Sequence, residues 1–434
     1  MSSAGRVNQQ DGSATLAGAG AAVGEDGRVK VGIIGATGAV GQRFVSLLHG
    51  HPYFRVAALG ASDRSAGKPY GSVVTWRLDD DAPLTEDIRG MTVLNCTPAP
   101  FKERGCVIIF SALDAAAADT LEDVFAAEGF IVFSNAKSHR MDSDVPILLP
   151  YVNAPLLEVV RGQKHYAKTG GAIVTNANCA STGLSVALKP LLDKWGIKRL
   201  AIATLQAISG AGYPGLSAMD MIDNVIPFIS GEEEKLEREP QKILGTLSEG
   251  SREILSSPFE SVAMCHRVPV IDGHTVTVIV DFPANAFPES SDASDISAQI
   301  TDAFRAFQPP ADVAGLPSCP AEVICVCEHP SRPQPRVDRP RGGGMTVSVG
   351  PVKAKYVAHA SAWTAKFTTL VHNTLLGAAG CSILNAELAL QRGLVLDGKG
   401  QALRPPSSGA TQSRGSVNGV GSPRGKRQKC DNGL

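Results

Sequence analysis

The sequence predicts an α/β chain in which a doubly wound parallel sheet is followed by an α+β domain. Three observations carry this. "VKVGIIG" at 29–35 is a short apolar run that gives way to glycine-punctuated "ATGAVG", an amphipathic "QRFVSLLHG" and a second apolar run "FRVAALGA". That switch of period from strand to helix and back opens a parallel βαβ unit. "CVIIFSA" at 106–112 and "FIVFSNA" at 130–136 repeat the buried-strand pattern across an Ala-rich helical segment around 114–128, giving a Rossmann-like domain over 29–175. Beyond it, "LAIATLQAIS", "SVAMCHRVPV" and "HTVTVIVDF" read as longer strands, with helices expected near 182–195, 216–227 and 294–306, so 176–365 forms the second domain. A chain of 434 residues also exceeds what one core usually organises.

The ends read differently. Residues 1–28 are rich in Ala, Gly and Ser without a continuous apolar stretch, and are expected to be a disordered leader. "TTLVHNTLLGAAGCSILNAELALQRG" reads as an amphipathic helix stopped by Gly393, so a helix over 366–395 is expected to return and complete the first domain. Residues 404–434 have no periodic apolar face to repay ordering entropy and are expected to be a disordered basic tail. Its "RGKRQK" is either a solvated charge run or an address or polyanion patch.

Composition narrows the function classes. With a formal net charge of -1 and charged residues at 19%, nothing draws the chain generally to nucleic acid or anionic membrane. No apolar run is long enough to span a bilayer. The nine cysteines are odd in number, scattered, and lack C-x-x-C metal spacing, which predicts no metal site and reduced thiols in a cytoplasmic setting.

The glycine loop places Gly32, Gly35, Gly38 and Gly41 around Thr37, between a strand and a helix. Glycines there let backbone N–H groups and a helix start approach a pyrophosphate, or simply permit close helix–sheet packing. About 20 residues on, "ASDRSAGK" lies where an adenosine ribose is read. Asp63 suits a free 2′-hydroxyl, whereas Arg64, Ser65 and Lys68 suit a 2′-phosphate; two cations and a hydroxyl tip the balance to NADP.

"TNANCASTGL" puts Cys179 before a helical run that Ser181 or Thr182 can cap. At a helix start the dipole favours thiolate, so Cys179 is either a nucleophile or a small buried residue. In "CHRVPVIDGHTVTVIVDF", Asp272-Gly273 is a two-residue hairpin signal. With that turn His274 pairs across from Ile271, and Arg267 shares its face, an imidazole and a guanidinium suited to a small anionic substrate. Gln206 in "LQAISGAGYPG" is either a satisfied core amide or a substrate-orienting group. "GEEEKLEREPQKIL" puts Glu232 three residues before Lys235, a pattern most simply read as a solvated, salt-bridged helix face.

The order and spacing of "GIIGATGAVG", "ASDRSAGK", "SNAKSHRMDSDVPILLPYVN", "NANCASTGL", "LQAISGAGYPG", "GEEEKLEREPQKIL", "CHRVPVIDGHT", "RPQPRVDR" and "HNTLLGAAG" over about 29–395 resemble the aspartate-semialdehyde dehydrogenases, in their fungal and archaeal-like branch. The resemblance implies a Rossmann-like NADP-binding domain and a catalytic and dimerisation domain. It implies NADPH-dependent reductive dephosphorylation of 4-aspartyl phosphate to aspartate 4-semialdehyde and phosphate, a step toward lysine, threonine and methionine. Cys179 matches the thioester-forming nucleophile, His274 the acid/base and Gln206 the residue that orients the intermediate. Arg267 matches the arginine for the substrate carboxylate; Arg140, Glu232 and Lys235 fall in the phosphate and substrate pocket. Cofactor contacts fall on Thr37, Gly38, Ala39, Val40, Arg64, Ser65, Ser209 and Gly210, with Asn373 near the nicotinamide. The implied partners are a small-molecule substrate, inorganic phosphate and a second or further copies in a homodimer or homotetramer. The sequence departs from the family at "NCAST", whose inserted Ala shifts the capping hydroxyl, and at Asp63. A reductase of malonyl-coenzyme A or acetylglutamyl phosphate, or a non-catalytic NADP-sensing regulator, would share parts of this pattern.

Overall fold

The computed structural model describes residues 20–78, 84–250 and 252–406. Its first sheet is built from β1 (Val29–Ile34), β2 (Phe54–Ala61), β3 (Val93–Asn95), β4 (Ile108–Ser111), β5 (Ile131–Ser134) and β6 (Ala172–Thr175). All pairs are parallel and the order is β3-β2-β1-β4-β5-β6. This is the doubly wound order, whose switch point lies between β1 and β4. Buried runs such as Ile108–Ser111 and Ile131–Ser134 are apolar because helices cover both faces.

The second sheet contains β7 (Arg199–Gln206), β10 (Glu260–Arg267), β11 (His274–Asp281), β12 (Ile324–Val326), β13 (Val347–Val349), β14 (Lys353–Val357) and β15 (Ala362–Val371); β8 (Thr246–Leu247) and β9 (Ile254–Leu255) form a separate small ribbon. Its order is β10-β7-β11-β15-β13-β12, with β14 also on β15. The long helix Cys179–Trp195 covers one face and runs through Pro190 without ending. The fold class therefore agrees with the sequence reading.

Several local expectations are corrected. Residues 366–371 are not helical: they end β15, where buried and open positions alternate, and only Gly380–Gln391 forms the returning helix, which packs on β5 and the helix Ala39–Leu48. That helix is buried along nearly its whole length rather than amphipathic. The alternating "TAKFTTLV" was masked by the apolar run that follows it. In 216–227 only Ala218–Met221 is helical; Met219, Ile222, Val225 and Phe228 sit at helix-like spacing yet are exposed. Asp272-Gly273 does not close a hairpin, because β7 lies between β10 and β11, parallel to the first and antiparallel to the second. Residues 20–28 are not free of the fold: Val23 bridges Val29, Gly20 N–H donates to Lys102, and Lys30 N–H donates to Ala22. The remainder of the expected leader, and the tail from 407, lie outside the described residues.

Candidate active site

The carboxyl ends of β1 and β4 open toward the loop at 35–41. Gly35 has φ +75° and a Cβ there would meet Ala112 O at 2.5 Å, while a Cβ on Gly41 would meet Gly35 O at 2.3 Å. The helix Ala39–Leu48 starts at Gly38 with no side-chain cap, so its first N–H groups stay available for an anion. Gln42 Nε2 donates to Thr37 O at 3.0 Å and fixes the loop from behind. This cradle fits a dinucleotide pyrophosphate.

Facing the loop is a cavity of about 330 Å³ lined by Ala39, Val40, Cys179, His274, Arg267 and Asn373, among others. A larger hollow of about 1110 Å³ lies between the N-terminal segment and β2, lined by Val23, Arg28, Arg55 and Asp87; among the described residues its lining has no cysteine, serine or threonine, and the paired Cys179 and His274 lie in the smaller space.

Cys179 is the first residue of its helix. The cap is Asn178, not Ser181 or Thr182: Asn178 Oδ1 accepts from Ala180 N at 3.0 Å and Ser181 N at 3.3 Å. The asparagine stands three and four residues before the hydroxyls the sequence offered, and Thr182 Oγ1 instead donates back to Asn178 O at 3.0 Å. Cys179 Sγ lies 3.1 Å from His274 Nε2. Ala207 N–H donates to His274 Nδ1 at 3.0 Å, so the neutral ring carries its proton on Nε2, aimed at the sulfur. Burial, reinforced by the Arg267 charge, pushes the imidazole down to about 3. Burial pushes the Cys179 thiol up to about 12, Glu232 adds to this, and Arg140, Lys235 and Arg267 oppose it. The resting pair is thus a thiol beside a neutral imidazole, and the helix start alone does not ionise the sulfur.

Arg267 and His274 converge through β7 rather than across a turn. Arg267 pairs with Gln206, and Arg267 Nη1 donates to Ala207 O at 2.7 Å. Gln206 Nε2 donates to Glu232 Oε2 at 3.2 Å, and its Oε1 is buried without a protein partner. Burial pushes the Glu232 carboxyl up, but the charge and hydrogen bond of Lys235, with hydrogen bonds from Gln206 and Asn178, outweigh it and hold it below its ordinary value. Lys235 is ion-paired to Glu232 as the spacing predicts, but Glu232 is buried at the cavity, while the solvated pair on this helix, Glu232–Ile243, is Arg238 with Glu234 on its other side. Glu232 lines the cavity.

The family models for the "Semialdehyde dehydrogenase, NAD binding domain" and the "Semialdehyde dehydrogenase, dimerisation domain" match residues 30–159 and 188–376. The aspartate-semialdehyde dehydrogenase of Cryptococcus neoformans is 44% identical over 85% of the chain and 98% of its own length. That of the archaeon Methanothermobacter thermautotrophicus is 44% identical over 83% and 98%. The chain belongs to the aspartate-semialdehyde dehydrogenase family. The solved Candida albicans family member, described as bound with NADP, is 41% identical, covers 83% of the chain and 98% of its own, and superposes with a TM-score of 0.73.

Against the family pattern, Cys179, His274, Gln206, Arg140, Glu232, Lys235, Arg267, Ala39, Val40, Ser209, Gly210 and Asn373 all line the one cavity. Thr37 and Gly38 sit in the adjoining loop. Arg64 and Ser65 do not line the cavity; they lie on the turn after β2, where Lys68 Nζ donates to Arg64 O at 2.8 Å instead of projecting beside them. Asn373 braces the protein: its Oδ1 accepts from Gly273 N and its Nδ2 donates to Ser209 Oγ, each at 2.8 Å. Sequence reasoning missed Lys137, which also lines the cavity; Gly377, where a Cβ would sit 2.9 Å from Cys179 Cβ; and Glu239. Glu239 was legible from spacing, since seven residues after Glu232 returns to the same helix face.

Among the described residues no group of His, Cys, Asp and Glu could hold a metal, eight cysteines are free, and no helix is long and apolar enough to cross a membrane.

Proposed function

We propose that the chain catalyses NADPH-dependent reductive dephosphorylation of 4-aspartyl phosphate to aspartate 4-semialdehyde through a thioester on Cys179. The observation that carries the reading is the 3.1 Å contact of Cys179 Sγ with His274 Nε2 inside a cavity ringed by Arg140, Lys235 and Arg267. Cys179 attacks the acyl carbon, and the phosphate leaves toward Arg140 and Lys235 carrying the thiol proton, which splits one hard exchange into two easier ones. Arg267 takes the substrate carboxylate as a forked donor, and Gln206 Oε1, which lacks a protein partner, accepts from the substrate. The loop at 35–41 would hold the pyrophosphate of the dinucleotide, which when bound would supply hydride to the acyl carbon on Cys179. His274 Nε2–H then faces the oxyanion, a donor of a kind that contributes about 3 kcal/mol. Collapse of the tetrahedral species releases the aldehyde and expels the sulfur as thiolate beside that same donor, and a proton taken from water restores the thiol. Acting as a base on the thiol would require His274 to give up its bond from Ala207.

For cofactor choice, Arg64 is exposed beside Ser65 on the ribose-reading turn, which supports NADP. A homodimer is supported by the uncovered face of β10, β7 and β11, where Leu205, Val262, Met264 and Ile279 are 41–60% exposed. The eight cysteines among the described residues form no disulfide, which fits a reducing, cytoplasmic setting.

The test is mass spectrometry of the protein given aspartate semialdehyde and NADP without phosphate. An acyl adduct on Cys179 that phosphate discharges is expected. Turnover without any adduct, or an adduct on another residue, would sink the reading.

A further inference from the structure

Glu239 is 2% exposed and carries two strong contacts to different parts of the site. Its Oε1 accepts from Arg140 Nη1 at 2.9 Å, and its Oε2 accepts from the backbone N–H of Asn178 at 2.6 Å. Asn178 is the residue before the nucleophile and caps its helix. Three residues on, Lys242 Nζ donates to the carbonyls of Arg140 at 2.7 Å and Asp142 at 2.6 Å. Three residues on the other side, Leu236 is buried, and Glu232 Oε2 accepts from Asn178 Nδ2 at 2.8 Å. One face of the helix Glu232–Ile243 therefore clasps both the Arg140 loop and the start of the Cys179 helix.

We propose that Glu239 is a positioning residue that sets the distance between the phosphate-binding Arg140 and the Cys179 sulfur; this deepens the function proposed above and rests on it. The carboxylate suits the task because it offers acceptors on both sides and no donor. Arg140 has five N–H bonds, of which Glu239 and Asn135 O take one each. Its Nε is buried without a protein partner, so the guanidinium is held by two edges while the rest remains for an anion. A fixed arginine and a fixed sulfur are what an attack with a leaving phosphate needs, since small misplacements cost rate steeply.

Glu239→Gln tests this, because an amide accepts on one side only and turns an N–H toward Arg140 or Asn178 on the other. In the full chain, kcat in the phosphate-dependent direction should fall about tenfold or more and the phosphate KM should rise. The NADP Kd and the Tm report on fold and should change little. In an Arg140→Gln background the same substitution should cost no more than about twofold, since the arginine it positions is gone. Wild-type kcat in Glu239→Gln would overturn the proposal, as would effects of the two substitutions that simply multiply. A phosphate KM that falls would overturn it too, showing that only a negative charge had been removed. If Glu239→Gln does not fold, Glu239→Asp keeps the charge and shortens the reach; it should lose about fivefold in kcat, and full activity in it overturns the proposal. An unaltered protein with no phosphate-dependent turnover would instead take down the reaction assignment itself.

Discussion

His274 Nε2 stands 3.1 Å from Cys179 Sγ while its other ring nitrogen takes the N–H of Ala207, so the imidazole faces the sulfur as a donor. This makes the pair a neutral one whose hydrogen-bond polarity is set by backbone. Replacing His274 by Asn shortens the donor and should lower kcat by about 10²–10⁴-fold, with the NADP Kd unchanged. Because burial holds the ring down to about 3, the acidic limb of the wild-type kcat profile between pH 5 and 8 should not shift when His274 is replaced. A limb that disappears in His274→Asn would mean the ring titrates in that range and exchanges protons as a base.

The space for that pair is made by a missing side chain. A Cβ on Gly210 would lie 2.9 Å from Arg267 Nη1 and 3.2 Å from His274 Nε2. Both neighbours are buried and already bonded, so neither moves cheaply. Gly210→Ala should lower kcat/KM for the semialdehyde about tenfold or more, with a melting temperature near wild type. Steady-state kinetics with differential scanning calorimetry checks it; unchanged kcat/KM would show that the loop yields.

The NADP preference proposed above puts the 2′-phosphate on Arg64, exposed on the turn after β2 beside an exposed Asp63. Arg64→Ala should raise the NADPH KM about tenfold while leaving NADH use alone, because only the former carries the 2′-phosphate. Equal losses with both cofactors would assign Arg64 to the turn's structure.

The uncovered sheet face bears on assembly. Met264 is 60% exposed and Val262 48%, two positions apart on β10 and so on one face, next to Leu205 on β7. Met264→Asp should shift the sedimentation profile toward monomer without unfolding the protein. An unaffected dimer would place the contact elsewhere, and a tetramer in the parent protein would call for a second surface.

How much of this was legible in the sequence follows from range. The β1 loop and the start of the Cys179 helix are local, and the glycines and the small polar run announced them. The convergence of Arg267 with His274 was foreseen, but by the wrong route: a hairpin signal is local, whereas the insertion of β7 between their strands is set by chain some 60 residues away. Asn178 and Glu239 were missed for different reasons. Asn178 caps Ala180 and Ser181 by local bonds, and the hydroxyls of Ser181 and Thr182 drew the reading past it; Glu239 shares the helix face of Glu232 by spacing, but its bonds to Arg140 and Asn178 span 99 and 61 positions. The strand at 362–371 was lost because Val371 runs straight into the buried turn and helix that follow, and a continuous apolar stretch hides its change of period.

Acid should destabilise the protein through two buried imidazoles. Burial holds His274 down to about 3, and burial opposed by Asp272 holds His372 down to about 4. In the unfolded chain both return to about 6.5. Between those limits the unfolded state binds more protons than the folded one, so stability rises with pH there. It is complete above about 6.5 and lost as pH falls toward 4 and then 3. The two rings sit on adjacent paired elements, with His274 opposite Val371, so their losses will not simply add. Chemical denaturation of wild type from pH 7 to 4 should show a falling unfolding free energy. His274→Asn should flatten the slope, whatever it does to kcat. A slope identical in the variant would show that carboxylates alone set the acid limit, and that His274 is less enclosed in solution than its packing against Gly210 and Cys179 requires.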